Sequence, residues 1–294
     1  MQDSVQKAGF IAVIGRPNAG KSSLLNWLVD EKIAMVSKKA NATRKRSNII
    51  VMHKNAQLIF IDTPGIHEKE RALNKFMLNE AIKAIGDCDL ILFLNPIHDS
   101  LQNYEKFLQL NKNKDHIVLL TKADEASNKQ ILEELSKYSA YSDKYRAIFP
   151  ISIKNRSDKN YLLDMIINFI PEHPFLYDPE IITTQMMREI YKEYIREAIF
   201  EYTSDEVPYS TDVKIDKIEE NENLEKVFAT IIVEKESQKS IIIGRNGDTL
   251  KRIGTHSRIM IEKLCDKKVF LKLHVEVNKN WTKNKQKIKQ LDYT

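Results

Sequence analysis

The feature that most restricts this chain is GRPNAGKS (15–22), which follows the apolar run FIAVIG (10–15) and precedes a helical pattern. It matches GxxxxGK[ST], and the strand–loop–helix setting is what makes that pattern credible. Backbone N–H groups of such a loop, with the positive end of the helix behind them, form a cradle for phosphate oxygens. The spacing assigns Gly15, Arg16, Pro17, Asn18, Ala19, Gly20, Lys21, Ser22 and Ser23 to that cradle. Lys21 is expected to reach the β- and γ-phosphates, and Ser22 to ligate Mg2+. The motif alone leaves ATP and GTP equally open.

Three later segments discriminate between them. DTPG (62–65) ends an apolar run, so Asp62 can hold Mg2+ through water while Thr63 and Pro64 carry the Gly65 N–H to the γ-phosphate. TKAD (121–124) ends another. The Asp124 carboxylate can accept from N1–H and the exocyclic amine of guanine, whereas adenine presents a lone pair at N1 and no amine at C2. A buried charge that loses its donors rejects the wrong base strongly. Thr121 precedes it, and the stem of Lys122 can cover the base. In SIK (152–154), Ser152 and Lys154 flank Ile153, whose N–H can meet the guanine O6. Together the segments predict a GTP/GDP site.

These motifs sit in an alternating pattern. Strands are expected at 10–15, 48–53, 57–62, 90–95, 117–121 and 147–152, with helices at 72–85, 102–112, 128–141 and 158–170. Several runs are apolar throughout, as strands covered on both faces are. Only a few polar residues separate 48–53 from 57–62, which predicts a hairpin. The fold class is therefore α/β: a mostly parallel, doubly wound sheet with one antiparallel edge. PEHPFLYDPE (171–180) holds three prolines in ten residues and ends the pattern. We assign a nucleotide-binding domain to 1–172, a linker to 173–182 and a second domain to 183–294.

Glycine is scarce, 8 in 294 residues, and two of them, Gly244 and Gly247, make the loop of KSIIIGRNGDTLKRIG (239–254), which predicts helix–GxxG–helix. With strands near 211–218, 227–234 and 269–277 and a long helix before them, the order α-β-β-α-α-β is that of an α+β type II KH domain, an RNA-binding fold. Charge agrees: residues 179–236 hold 7 Lys/Arg against 15 Asp/Glu, whereas 237–294 hold 14 against 5. A basic face suits a polyanion. Gly244, Arg245, Asn246, Gly247, Lys251 and Arg252 are the expected RNA contacts, with Ile241, Ile242, Ile243 and Leu250 as groove floor and core.

The GTP motifs resemble those of the translation-factor-related GTPases, and within them the Era family; EVPYS (206–210) and VEVNKNW (275–281) extend the likeness to nearly the whole chain. The resemblance implies a switch I threonine at Thr43, whose hydroxyl binds Mg2+ while the γ-phosphate is present, and a switch II running from DTPG to about residue 75. It implies a catalytic set of Lys21, Thr43, Gly65 and Asn18, the last helping to hold K+. It also implies binding of the 3′ end of small-subunit ribosomal RNA, assistance to the assembling small subunit, a monomer, and a cytoplasmic location with a peripheral inner-membrane fraction. The basic tail (279–291) suits phospholipid headgroups and RNA phosphates equally.

Two positions depart from the commonest pattern. Thr121 stands where NKxD has Asn and is expected not to make the same contact to base and phosphate loop, at some loss of affinity. Ile66 follows DTPG where Ras-like enzymes place a water-orienting Gln. These keep an alternative open: an RNA-binding assembly or chaperone protein whose GTP site binds but barely hydrolyses. An ATPase or nucleotide kinase reading is disfavoured by Asp124. No apolar run approaches the roughly 18–20 residues that span a bilayer, and MQDSVQKAGF has no secretory apolar stretch. Cys88 and Cys265 fit no metal or disulfide spacing and are expected to be buried thiols.

Overall fold

A computed structural model describes residues 5–35, 43–65, 72–111, 113–204 and 206–291. Two compact units emerge, the first running to Thr184 and the second chiefly from Gln185. The first contains β1 (Lys7–Gly15), α1 (Lys21–Val29), β2 (Ser47–His53), β3 (Ala56–Asp62), α2 (Ala72–Asp87), β4 (Leu90–Pro96), α3 (Gln102–Leu110), β5 (His116–Thr121), α4 (Asn128–Tyr138), β6 (Ala147–Ile151) and α5 (Arg156–Ile167). The strands form one sheet in the order β2-β3-β1-β4-β5-β6, parallel except for the β2–β3 hairpin.

Side-chain alternation divides the core between the two faces. Ile11 and Val13 of β1 join a cluster with Leu24, Leu28 and Leu162. Ala12 and Ile14 join Phe93, Tyr104, Phe107 and Tyr138 on the opposite side. Both faces are thus covered, which is why these strands read as unbroken apolar runs. Parallel pairing brings the C-terminal ends of β1, β3, β4 and β5 to one edge, where open α/β sheets bind ligands.

The proline-rich segment after α5 is not a bare tether. Gln57, fully buried on β3, accepts from the Leu176 and Tyr177 N–H groups at 2.8 and 3.0 Å and donates to the Tyr177 carbonyl at 2.8 Å. Further on, Ile50 donates its N–H to the Ile182 carbonyl at 2.9 Å, and the Thr183 hydroxyl donates to the Asn48 carbonyl at 2.9 Å. Residues 176–184 therefore belong physically to the first unit.

The second unit runs α6 (Met187–Tyr202), β7 (Asp212–Glu220), β8 (Leu224–Val233), α7 (Glu236–Ile243), α8 (Asp248–Cys265), β9 (Lys268–Val277) and α9 (Lys285–Gln290). β8 pairs antiparallel with β7 and parallel with β9. Ile195, Ile199, Val227, Ile231, Ile253 and Ile261 lie in the core that joins one face of this sheet to its helices. The segment after β9 contributes Trp281, fully buried, which packs with Ile232, Ile288 and Leu291 and donates from Nε1 to the Ser210 carbonyl at 3.0 Å. Cys88 is buried, but Cys265 is only partly so, because it sits where α8 ends beside solvent. Among the described residues no helix is long and apolar enough to cross a membrane.

Candidate nucleotide site and nucleic-acid interface

The phosphate loop spans the gap between β1 and α1. Gly15 closes β1, Arg16 to Gly20 make the turn, and Lys21 opens the helix with Ser22 and Ser23 behind it. Two turn residues, Asn18 at φ 63° and Gly20 at φ 95°, adopt left-handed backbone. The Lys21 side chain folds back over the loop and donates to the carbonyls of Gly15 and Arg16 at 3.0 and 3.1 Å. Burial draws its pKa down to about 8, opposed by Asp62 and reinforced by Arg16. The guanidinium of Arg16 turns outward to grip Asp99, with Nη2 2.5 Å from Oδ1 and Nε on Oδ2.

At the end of β3, the Thr63 hydroxyl donates to the Val13 carbonyl at 2.6 Å and ties DTPG to β1. Gly65 lies against Pro17: a Cβ there would stand 2.7 Å from the Pro17 nitrogen, closer than any side chain permits, so only glycine brings this backbone to the loop. Three oxygens converge beside it. Ser22 Oγ is 3.2 Å from Thr43 Oγ1, which is 3.3 Å from Asp62 Oδ2. Two hydroxyls and a carboxylate form a hard-oxygen set of the kind Mg2+ takes alongside water and phosphate. Residues 36–42 of the expected switch I and Ile66 to residue 71 of the expected switch II lie outside the described residues.

Thr121 closes β5, and its hydroxyl donates to the Ala19 carbonyl at 2.8 Å. Thr121 thus contacts the phosphate loop through a hydroxyl where the commoner pattern has an amide. β5 runs close enough to the loop that a hydroxyl spans the gap. Lys122 follows at φ 59°, and Asp124 lies in the next turn. The Asp124 carboxylate accepts from Ser152 Oγ at 2.7 Å and from Lys154 Nζ at 2.5 Å, and these two, Lys154 first, hold its pKa below the usual carboxylate range. Ser152 is positioned in turn by its N–H on Asp158 Oδ2, 3.0 Å, and Ile153 is exposed between the two.

Asp99 and Asp158 are functional neighbours that motif matching missed. Both lie just past strand ends on the ligand-binding edge, and that placement was their only sequence signal.

In the second unit, Gly244 (φ 75°) and Gly247 (φ 81°) bracket the turn between α7 and α8, with Asn246 also left-handed. Arg245, Asn246, Lys251 and Arg252 are exposed around it. Ile242 is core and Ile243 and Leu250 are partly covered, whereas Ile241 stands exposed beside the loop. An N-terminal helix end, a loop without side-chain bulk at its glycines and flanking cations make a phosphate-accepting surface.

Fold and motif order define a P-loop GTPase joined to a KH domain. A model described as "50S ribosome-binding GTPase" matches residues 10–122, and one described as "KH domain" matches 206–282. The chain is 53% identical to the GTPase Era of Campylobacter fetus over 284 residues, covering 97% of this chain and 98% of that one. It is 47% identical to that of Helicobacter pylori strain P12 over 293 residues, covering 98% and 97%. The chain belongs to the Era family of GTPases.

Among solved structures, Era in complex with MgGDPNP and nucleotides 1506–1542 of 16S ribosomal RNA superposes with a TM-score of 0.94 at 32% identity, over 98% of this chain and 99% of that one. An Aquifex aeolicus Era variant bound to GDP·AlF4− matches with the same TM-score and identity, over 98% and 100%.

Proposed function

We propose that this GTPase is a switch that binds the 3′ end of small-subunit ribosomal RNA through its KH loop and assists assembly of that subunit. The observation that carries the reading is the near-full-length likeness to an Era solved with both MgGDPNP and that stretch of 16S RNA. It is supported by the convergence of Ser22, Thr43 and Asp62 and by the Asp124–Ser152 pair at the base position.

We assign the roles as follows. Lys21 would neutralise the β- and γ-phosphates, and the Gly65 N–H would meet the γ-phosphate, its backbone packed against Pro17. Ser22 and Thr43 would hold Mg2+, with Asp62 acting through water; the ion supplies charge for the leaving phosphate. Asp124 selects guanine, Lys122 covers the base, and Ile153 offers its N–H to O6. Asn18 helps retain K+, and equal turnover in potassium and sodium buffers would discard that role. Gly244 to Gly247 admit the RNA backbone, with Arg245, Lys251 and Arg252 on its phosphates. The protein acts as a cytoplasmic monomer, with a peripheral membrane fraction held by the basic tail. A single-turnover assay with and without a small-subunit 3′-end oligonucleotide tests the switch. Phosphate release accelerated by RNA is expected, and none under either condition would leave only a binding protein.

A further inference from the structure

The face of the KH sheet turned away from the helices carries its own pattern. Along β8, Lys226, Phe228 and Thr230 alternate with core residues, and along β9, Phe270, Lys272 and His274 do the same. Register sets Lys226 beside Phe270 and Phe228 beside Lys272, so rings and ammonium groups form a diagonal checkerboard. On the other side of Phe228, β7 presents Lys217. Phe270 is 50% exposed, and its ring meets that of Phe228 edge to face, with centroids 6.3 Å apart. Further along the same face of β8, Ile232 is covered by Trp281, Ile288 and Leu291, and that covering segment carries the exposed Lys283. The chain thus shields Ile232 and leaves Phe270 exposed with Phe228 half-buried beside it.

We propose that this outer face is a second nucleic-acid surface, taking single-stranded RNA by stacking bases on Phe228 and Phe270 while Lys272 and Lys226 meet the flanking phosphates. Two rings make too small an apolar patch for a stable protein partner, whose interfaces bury about 800 Å² a side. A ring bordered by cations on a β-sheet is, by contrast, the arrangement on which unpaired bases stack. Glu219 on β7 already pairs Lys217 at 2.7 Å and lies 3.9 Å from Lys226, Asp216 takes the Thr230 hydroxyl, and Glu276 follows His274 on the outward side of β9, so the track centres on Phe228, Phe270 and Lys272. The helices flanking the GRNG turn pack on the opposite face, which makes this a separate footprint. The inference rests on the RNA-binding reading above.

The test uses the full chain and a fluorescein-labelled single-stranded RNA of about 20 nucleotides, longer than one site of roughly 4–16. Phe270→Ala should weaken binding roughly 5- to 100-fold, as loss of one stacked base does, and Phe270→Tyr should restore it. Lys272→Ala should lower the salt slope by about one unit. With 4-thiouridine in the RNA, photocrosslinks should appear on the β9 peptide, and in a Gly247→Asp background the residual affinity should still fall on Phe270→Ala. Unchanged affinity in Phe270→Ala and Phe228→Ala, with crosslinks confined to the GRNG turn, would overturn the second surface and leave the first intact. If Gly247→Asp also changes nothing, the RNA-binding reading falls with it.

Discussion

The hydroxyl of Thr121, at the end of β5, donates to the carbonyl of Ala19 inside the GRPNAGKS loop, 2.8 Å away and 102 residues earlier in the chain. One hydrogen bond therefore couples the strand that leads to Asp124 to the loop proposed to hold the phosphates. Removing it with the near-isosteric Thr121→Val leaves a buried carbonyl without its donor, at a cost of about 1–3 kcal/mol. GDP dissociation, followed with a fluorescent analogue, should quicken roughly 5- to 100-fold, while Thr121→Ser stays near the parent. An unchanged rate in Thr121→Val would mean the bond does not hold the loop.

Asp124 should decide the purine. Asp124→Asn exchanges an acceptor for a donor, so two hydrogen bonds to a charged group, about 1.5–3 kcal/mol each, are lost to guanine. Preference should move towards xanthine nucleotides by at least roughly 10²-fold in competitive binding. Retained guanine selectivity would place base recognition elsewhere.

Lys21 links binding to pH. Its pKa of about 8 in the empty loop should return upward when phosphates dock, so nucleotide binding should take up a proton between about pH 8 and 9 and none at pH 7. Calorimetry in buffers of differing ionisation enthalpy reads this directly, and affinity should decline as pH rises above 8. For the nucleotide-free chain the sign is opposite. The unfolded state holds this proton more tightly across roughly pH 8 to 10.5, so this group's contribution to stability rises with pH through that window. Lys21→Ala should abolish nucleotide binding or turnover.

The KH unit depends on a buried charge cluster. Asp212 is fully buried, with Lys192 Nζ at 3.1 Å and Arg196 Nε at 3.7 Å, and Arg196 also pairs with Glu193 at 2.9 Å. Asp212→Ala leaves two cations with less compensation in a region of low polarity and should cost about 3–5 kcal/mol. Urea unfolding should show this loss, and a loss below about 1 kcal/mol would mean that water reaches the cluster.

Much of the architecture was legible because it is encoded contiguously. Four strands of the first sheet, β1, β3, β5 and β6, are apolar runs ended by their own loop motifs, and the GRNG turn sits between two helices. What stayed hidden depends on reach across the fold. Nothing near Arg16 in sequence announces Asp99, 83 residues later. Nothing in PEHPFLYDPE says that Gln57 will hold it. That the Thr121 hydroxyl binds the Ala19 carbonyl depends on how closely β5 approaches the loop, which its own sequence does not state. The basic tail reads by its charge as a partner for phosphates, and its sequence does not say that Ile288 and Leu291 will join Trp281 over Ile232 and make it part of the fold.

The strand partners of Asn48 and Ile50 carry a last consequence. β2 borders the first sheet, and a border strand offers its unpaired amides and carbonyls to any passing extended peptide. Here Ile182, Thr183 and Thr184 already bind that rim. A chain that has folded this far has thereby capped the side of the first sheet on which two copies could otherwise zip together.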